Sequence, residues 1–235
     1  MKAIIMAGGR GSRLMPLTSD MPKPLMPILN KPILYYILKL LYKYNITQVG
    51  ITLGYLSDRI REYFGNGAEL GMDIRYYIES EPLGTAGGVK NAERFLDEDF
   101  VVISGDAFTD IDLGSLVDFH YSHSGLITIA SKEVDNPSEF GVIVSDNHGL
   151  VTIFQEKPAH PLSRLVNMGI YVMDKTILTA IPEGFQDFSK NIFPNLLGGI
   201  YTKKCDCFWS DIGTLSSYYA TNYFVANNLE RYAMV

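Results

Sequence analysis

The 235-residue sequence contains only two cysteines, Cys205 and Cys207, and a single tryptophan. The cysteines stand at Cys-x-Cys spacing in a predicted strand, where both side chains point to one face. A disulfide between them would be strained, and a zinc site would need more ligands. We therefore expect reduced, structural thiols. The four histidines show no metal-like spacing, so no catalytic role is assigned to them.

Long apolar runs and an excess of positive charge are also missing. No run approaches the roughly 20 residues that cross a membrane, and the start lacks the apolar core of a signal peptide. These absences predict a cytoplasmic protein with no membrane partner. The formal charge of -6, from 20 basic and 26 acidic side chains, argues against a nucleic-acid partner. The composition, 47% hydrophobic and 20% charged, is typical of a globular chain with a substantial core.

A buried strand followed by a basic, glycine-rich loop opens the chain. Residues 2–7 predict the strand, and Gly8-Gly9-Arg10-Gly11-Ser12-Arg13-Leu14 follows directly. Glycines let a ligand approach the backbone, and bare N–H groups beside arginine form a cradle for phosphate. The loop lacks the Gly-Lys-Ser/Thr ending of a P-loop and the third glycine of a dinucleotide fold. A simple tight turn is therefore an alternative interpretation.

The residues behind this loop strengthen the ligand interpretation. Pro16-Leu17-Thr18 and Pro22-Lys23-Pro24 predict an extended, proline-stiffened segment before any helix begins. Together with the glycine loop, they resemble the signature of the sugar-1-phosphate nucleotidylyltransferases, also called nucleotide-sugar pyrophosphorylases. The family usually has Thr where this chain has Ser12, a change that keeps the hydroxyl. Similar segments recur along almost the whole chain, which most resembles the mannose-1-phosphate guanylyltransferases.

The predicted elements change character near residue 125. Before it, strands at 2–7, 48–53, 73–78 and 100–104 alternate with helices at 33–44, 57–64 and 85–95, the second of them capped by Ser57. After it, short strands are predicted at 126–131, 141–144, 151–155, 166–173 and 200–207, and helices at 174–180, 189–197 and 215–228.

This order predicts an α/β fold: a Rossmann-like mixed, mainly parallel sheet with helices on both faces and an added antiparallel sugar-side subsheet. We expect a single domain over 1–235, with a nucleotide-binding half at 1–125 and a sugar-binding half at 126–235. Ligands bind at the carboxyl ends of parallel strands, where the loops 8–17, 79–88 and 105–110 are expected to gather.

The resemblance implies a site made of four groups of residues. It implies catalytic roles for Arg13 and Lys23, which would otherwise be surface charges, and magnesium ligation by Asp106 and Asp211, which would otherwise be a turn residue and a helix cap. The nucleotide-binding residues would be Ala7, Gly8, Gly9, Gly11, Ser12, Glu79, Gly84 and Thr85. The sugar-phosphate-binding residues would be Gly141, Glu156, Lys157 and Asn167.

Glu79 bears on the choice of base. It stands where the thymidylyl members of the family have a glutamine that reads the pyrimidine edge. An ionised carboxylate can only accept hydrogen bonds, and guanine offers the adjacent N1–H and N2–H donors, whereas uracil and thymine present one donor beside acceptors. If Glu79 faces the base, guanine is the better partner. The alternative is a solvated charge beside Glu81.

The predicted activity is therefore Mg²⁺-dependent nucleotidyl transfer from an NTP to a hexose-1-phosphate, giving an NDP-sugar and pyrophosphate. GTP and mannose-1-phosphate are the first choice, with glucose-1-phosphate and UTP or dTTP as the alternative. Two other classes stay open: a non-catalytic regulatory protein that binds sugar nucleotides, and an NAD-dependent dehydrogenase. A homo-oligomer is possible.

Overall fold

The computed structural model describes residues 1–232, which form thirteen strands and seven α-helices. The strands are β1 (Lys2–Ala7), β2 (Pro27–Ile28), β3 (Lys31–Pro32), β4 (Gln48–Leu53), β5 (Asp73–Ile78), β6 (Phe100–Ser104), β7 (Ala107–Thr109), β8 (Ile127–Glu133), β9 (Gly141–Ser145), β10 (Val151–Glu156), β11 (Leu165–Met173), β12 (Ile200–Lys204) and β13 (Trp209–Asp211). The helices are α1 (Ile33–Lys43), α2 (Ser57–Phe64), α3 (Gly84–Asn91), α4 (Leu113–Tyr121), α5 (Ile177–Ala180), α6 (Leu215–Ala226) and α7 (Leu229–Tyr232).

A nine-stranded sheet runs through the molecule in the order β10-β9-β11-β6-β1-β4-β5, with β8 and β12 joined to it through β11. In its first half, β1 pairs in parallel with β4 and β6, and β4 pairs in parallel with β5. All four strands have the bounds that the sequence predicts. Their carboxyl ends therefore lie along one edge, where ligands bind in sheets of this kind.

The second half of the sheet is largely antiparallel. The long strand β11 pairs antiparallel with β6, β8 and β9, and β9 and β10 form an antiparallel hairpin. The chain therefore continues from the parallel strands into an antiparallel extension without leaving the sheet. The predicted fold class, a mixed α/β sheet with such an extension, is confirmed.

Two apolar layers cover the two faces of the sheet. Consecutive residues of β1 point to opposite sides, so Ile5 joins the core beneath α1 and Ile4 joins the core beneath α3. A strand that is buried on both faces reads as a continuous apolar run, which explains why β1 was visible in the sequence. No helix within residues 1–232 is both long and apolar enough to span a bilayer.

Several predicted elements were wrong in their bounds or kind. The helix predicted at 85–95 ends at Asn91 and continues as a 3₁₀ turn, and the one predicted at 189–197 is a π-helical turn (Phe188–Ile192) followed by 3₁₀ turns. The strand predicted at 200–207 ends at Lys204, so both cysteines lie beyond it. Ser57 is the first residue of α2 and does not cap it.

Other elements have no counterpart in the prediction. The segment expected to stay extended contains 3₁₀ turns at Ser12–Leu14 and Lys23–Leu25. Helix α4 was missed, although Asp112, which accepts a hydrogen bond from the Ser115 N–H at 3.0 Å, is a good N-cap signal. Strands β7 and β13, of three residues each, are too short to show a period.

Two histidines at the end of α4 share one hydroxyl. His120 Nδ1 lies 2.9 Å and His123 Nε2 lies 2.8 Å from Thr128 Oγ1. The hydroxyl has one proton to donate, so one ring accepts and the other donates. Burial lowers the pKa of both imidazoles, although Asp99 and Asp174 partly oppose this for His120. Both rings are thus better accommodated in their neutral form.

We expect these two histidines to lower the free energy of unfolding as the pH drops from about 7 to 5.5, whereas Asp211, whose pKa is raised to about 6, contributes in the opposite direction. In this window the unfolded chain binds more protons at the two histidines than the folded one, so each histidine contributes a slope of up to about 1.4 kcal/mol per pH unit. His120→Asn keeps an amide where Nδ1 stands and removes one titrating group. The loss of unfolding free energy per pH unit should therefore be smaller in this variant than in the natural protein. Urea unfolding at pH 7.0, 6.25 and 5.5 measures the slopes, and equal slopes would contradict the assignment.

Candidate active site

The three predicted loops meet around one cavity at the carboxyl edge of the parallel strands. The cavity has a volume of about 310 Å³. Its walls come from the ends of β1, β4, β5 and β6, from the start of α3 and from a segment near residue 185. The lining residues are Met6, Ala7, Gly8, Gly9, Lys23, Pro24, Thr52, Glu79, Pro82, Gly84, Thr85, Ser104, Gly105, Asp106, Phe185 and Asp187.

At one side of the cavity, the Lys23 ammonium lies between two carboxylates. Its Nζ donates a short hydrogen bond to Asp106 Oδ2 and lies 3.5 Å from Asp211 Oδ1. The Lys23 side chain is only 10% exposed, so this charge is held inside the protein. Ser104 Oγ donates to the other oxygen of Asp106 at 2.5 Å. The structure thus brings together three predicted residues from distant parts of the chain.

The surroundings shift the pKa values of the two carboxyl groups in opposite directions. Burial alone would raise the pKa of Asp106, but the Lys23 ammonium and the Ser104 hydroxyl outweigh it, so the pKa lies below the ordinary value. Burial and the negative charge of Asp106 raise the pKa of Asp211 to about 6, although Lys23 and Arg13 oppose this. The pair therefore has more negative charge than one lysine neutralises, which suits the binding of another cation.

Asp211 reaches Asp106 through a small two-stranded sheet. Strands β7 and β13 pair antiparallel with Asp211 opposite Ala107, and the Ile212 N–H donates to the Asp106 carbonyl at 3.2 Å. The indole N–H of Trp209 donates to the Met168 carbonyl at 3.0 Å, which ties β13 to β11. Sequence reasoning missed this small sheet, and neither three-residue strand carries a signal that could have revealed it.

The oxygen atoms of Asp106 and Asp211 are suitable ligands for a magnesium ion. Their hard oxygens are the ligands that Mg²⁺ prefers, and the ion usually takes one or two carboxylates together with water and substrate oxygens. In residues 1–232 no cluster of three or more His, Cys, Asp or Glu side chains could hold a metal. The protein could therefore supply two ligands here, and the others would have to come from water and a bound phosphate.

The glycine loop passes above this charge cluster. Arg13 is exposed, and its Nη2 lies 3.0 Å from the position that a Cβ on Gly213 would take, as do both carboxylate oxygens of Asp211. Gly11 adopts a left-handed conformation (φ 66°) and leads into the 3₁₀ turn that carries Ser12 and Arg13. The Gly11 carbonyl accepts from Thr18 Oγ1 at 2.8 Å, which holds the loop in place.

Glu79 faces the cavity from the end of β5. Its Oε1 lies 2.9 Å from the positions that Cβ atoms on Gly8 and Gly88 would occupy, so the carboxylate fills a narrow slot between the two backbones. Its Oε2 accepts from the Leu83 N–H at 3.1 Å. Burial raises the pKa of Glu79, and this hydrogen bond opposes the shift. Glu79 is therefore a half-buried carboxylate in the cavity wall, and its contact with a base stays a prediction.

The space beside Gly84 and Gly87, where a Cβ would project, is filled by the backbone of a neighbouring segment and not open to a ligand. A Cβ on Gly84, whose φ is +73°, would lie 2.4 Å from the Gln186 carbonyl oxygen, and one on Gly87 would lie 2.3 Å from the Gly184 carbonyl oxygen. The Gln186 carbonyl accepts from the Ala86 and Gly87 N–H groups at 2.9 and 3.1 Å. Two of the amides at the start of α3, those of Ala86 and Gly87, are thus occupied by the protein itself.

We name residues 184–188 the rim segment, because they border the cavity beside α3. The Thr85 hydroxyl fastens this segment: it donates to Asp187 Oδ2 at 3.1 Å and accepts from the Phe188 N–H at 2.9 Å. Asp187 also caps the following π-helical turn. Sequence reasoning missed the rim segment. The available signals were glycines inside a predicted helix, which suggest close backbone approach, and Asp187 before a helical turn.

Thr85→Val should lower the free energy of unfolding by about 1–3 kcal/mol. Valine has nearly the same shape but leaves the Phe188 N–H and one oxygen of Asp187 without their partner. Thr85→Ser keeps the hydroxyl and serves as the matched control, with an expected loss clearly smaller than that of the valine variant. Urea denaturation of both variants measures the difference, and equal losses would show that the hydroxyl does not fasten the segment.

The four predicted sugar-side residues lie outside the cavity lining. Glu156 pairs with Gly141 at the end of the β9–β10 hairpin, and the Lys157 N–H donates to the Phe140 carbonyl at 3.0 Å. Asn167 uses its amide within β11: it donates to the Tyr171 hydroxyl at 2.9 Å and accepts from the Gly169 N–H at 2.8 Å. The structure groups Gly141, Glu156 and Lys157 at the end of the hairpin, and β9 is joined through β11 to β6, the strand that precedes Asp106.

Trp209 also links the β9–β10 hairpin to the charge cluster by direct contacts. The ring of Phe140, which precedes Gly141, packs against the Trp209 ring with centroids 5.3 Å apart. Trp209 stands two residues before Asp211 and bonds to Met168, the neighbour of Asn167. The sugar-side residues are thus attached to the same small sheet that positions Asp211, on the antiparallel side of the cavity.

Comparison with known proteins gives consistent matches. A family model described as nucleotidyl transferase matches residues 2–228. The chain is 36% identical to a UTP–glucose-1-phosphate uridylyltransferase from Synechocystis over 93% of this chain and 62% of the relative. It is 37% identical to mannose-1-phosphate guanyltransferase beta-A from Xenopus laevis over 91% of this chain and 61% of the relative. The chain therefore spans about three fifths of the length of these relatives.

A solved structure shares the fold over almost the full length. A Bacillus anthracis protein, described as a candidate glucose-1-phosphate thymidylyltransferase and crystallised with a sucrose, superposes with a TM-score of 0.88 at 28% identity. The match covers 95% of this chain and 94% of that chain. The three proteins compared are named for three different nucleobases, so similarity alone does not choose among them.

Proposed function

Because the chain belongs to the nucleotidyl transferase family, we propose that it joins an NTP and a hexose-1-phosphate into an NDP-sugar and releases pyrophosphate. The observation that carries the proposal is the Lys23 ammonium held between Asp106 and Asp211 at the edge of the glycine loop. Two anions must be brought together for this reaction, and the charge that develops on the leaving group must be stabilised.

The proposed reaction is a single in-line displacement. An oxygen of the sugar phosphate attacks the α-phosphorus of the NTP, and the bond from that phosphorus to the bridging oxygen of pyrophosphate breaks as the new bond forms. The backbone at Ala7–Gly9 would border the nucleotide, and Gly11 and Ser12 would shape the loop around the triphosphate. Lys23 would neutralise charge at the α-phosphate, and Arg13 would stabilise the departing pyrophosphate.

Asp106 and Asp211 would hold the divalent ion. When bound, Mg²⁺ would withdraw charge from the phosphate oxygens. The Lys23 ammonium contacts both carboxylates, so it would stand beside the ion and the phosphate oxygens that they hold.

Glu79 supports guanine as the base. The carboxylate lines the cavity and still has acceptor capacity beyond its bond to Leu83. Guanine would donate N1–H and N2–H to it, whereas uracil or thymine would place a carbonyl oxygen against its charge. GTP with mannose-1-phosphate is thus the proposed pair. Glu156, Lys157, Asn167 and the backbone of Gly141 would receive the sugar phosphate from the antiparallel side of the sheet.

A substrate panel tests the proposal. The purified protein is incubated with GTP, ATP, UTP or dTTP, each with mannose-1-phosphate or glucose-1-phosphate, and pyrophosphate release is measured with and without Mg²⁺. We expect release only with metal and sugar phosphate, and fastest with GTP and mannose-1-phosphate. A preference for UTP or dTTP would contradict the guanine assignment. Nucleotide binding without release would favour a regulatory protein. The cytoplasmic location and a homo-oligomer stay predictions.

A further inference from the structure

Phe185 is an exposed aromatic residue at the cavity. The residue is 63% exposed, and it lines the cavity with apolar surface. Nothing in the proposed chemistry uses it so far, and an apolar ring in water is unfavourable unless something covers it. We propose that Phe185 stacks on the nucleobase and thereby contributes to purine preference, an inference that rests on the proposed function.

The rim segment holds the backbone of Phe185 on both sides. The Gly184 carbonyl packs against Gly87, and the Gln186 N–H donates to the Leu83 carbonyl at 2.8 Å. The next residue, Asp187, accepts from Thr85 and caps the π-helical turn. The ring is therefore presented by a segment with fixed hydrogen bonds, which reduces the entropy that ligand binding must overcome.

The ring and Glu79 border the same bend of the chain. Phe185 Cε2 lies 3.3 Å from the position that a Cβ on Gly84 would take. Glu79 Oε2 accepts a hydrogen bond from Leu83, the residue before Gly84. A base at this bend would meet an acceptor for its polar edge and an aromatic surface for its face.

The chemistry of the pair indicates a purine. A carboxylate selects a base with adjacent donors, and an aromatic ring gains more from the larger face of a two-ring base. Stacking of a base on an aromatic side chain contributes enough to change affinity about 5- to 150-fold. The loss on removing the ring should therefore be larger for GTP than for UTP.

Three variants test this role. Phe185→Ala removes the ring, Phe185→Trp keeps an aromatic face, and Tyr223→Ala is the control, because Tyr223 is 74% exposed on α6 and lies outside the cavity lining. The dissociation constants of GTP and UTP are measured with Mg²⁺ by calorimetry. Inorganic tripolyphosphate serves as a probe that has the phosphates and no base.

We expect Phe185→Ala to weaken GTP binding by roughly 5- to 100-fold, and UTP binding less. Tripolyphosphate binding should change by less than about twofold, and Phe185→Trp and Tyr223→Ala should bind GTP nearly as the natural protein does. Unchanged GTP binding in Phe185→Ala, or an equal loss for tripolyphosphate, would overturn the stacking role.

Pyrophosphate release by the natural protein, compared with GTP binding by Phe185→Ala, separates the stacking role from the proposed function. If the natural protein releases pyrophosphate and Phe185→Ala binds GTP equally well, only the stacking role is wrong. If the natural protein binds no nucleotide and releases no pyrophosphate, both are wrong. Thermal unfolding of each variant accompanies the binding data, and an exposed side chain should change stability little.

Discussion

Replacement of Lys23 by Met is expected to lower kcat for pyrophosphate release by about 10²- to 10³-fold. The variant keeps most of the side-chain volume but loses the one charge that both aspartates contact, and a preorganised charge at the reacting phosphate is worth this much. Initial rates under saturating GTP and mannose-1-phosphate measure the effect. Lys31→Met, which removes an exposed lysine eight residues away, should keep the natural rate.

The same variant should be less stable by about 3–5 kcal/mol near pH 7. Removing the ammonium leaves two partly buried carboxylates, Asp106 and Asp211, without their shared partner. The double variant Lys23→Met/Asp211→Asn removes one of these charges, so it should recover part of the stability without recovering activity. A folded Lys23→Met protein with a rate within threefold of the natural one would contradict the catalytic assignment.

Replacement of Glu79 by Gln is expected to lower kcat/KM for GTP by about 10- to 100-fold. Glutamine can offer guanine only one acceptor and places an N–H₂ donor against one of its donors, and a hydrogen bond to a charged group is worth about 1.5–3 kcal/mol. The same amide can pair with one donor and one acceptor of a pyrimidine, so the ratio of UTP or dTTP to GTP efficiency should rise.

Glu81→Gln is the matched control for this change. Glu81 stands two residues further on, is exposed and lies outside the cavity lining, so its replacement should leave the ratio of base efficiencies unchanged. Competition assays with pairs of NTPs measure the ratio directly. If Glu79→Gln kept the GTP preference of the natural protein, the carboxylate would not read the base.

Local patterns were sufficient for the parallel half of the fold. The strands β1, β4, β5 and β6 have the predicted bounds. β1, β4 and β6 are short, mainly apolar runs between turn residues, and their burial is visible without knowing their neighbours. β5 is an edge strand that mixes charged and apolar residues. The region after residue 173 was harder to predict. Its helical turns are short and include a π-helical turn capped by Asp187, and no periodicity distinguishes such turns from an α-helix.

The motifs of the sequence by themselves determined the chemical groups of the site: a glycine loop with Arg13 and Lys23, and carboxylates at Asp106 and Asp211. The tertiary structure alone decided which of them meet. Lys23 and Asp211 are 188 residues apart, and Thr85 and Asp187 are 102 apart. Their contacts depend on the order of strands and on two three-residue strands. Because pairing between distant segments is set by global packing and not by local propensity, the sequence could name these residues but not join them.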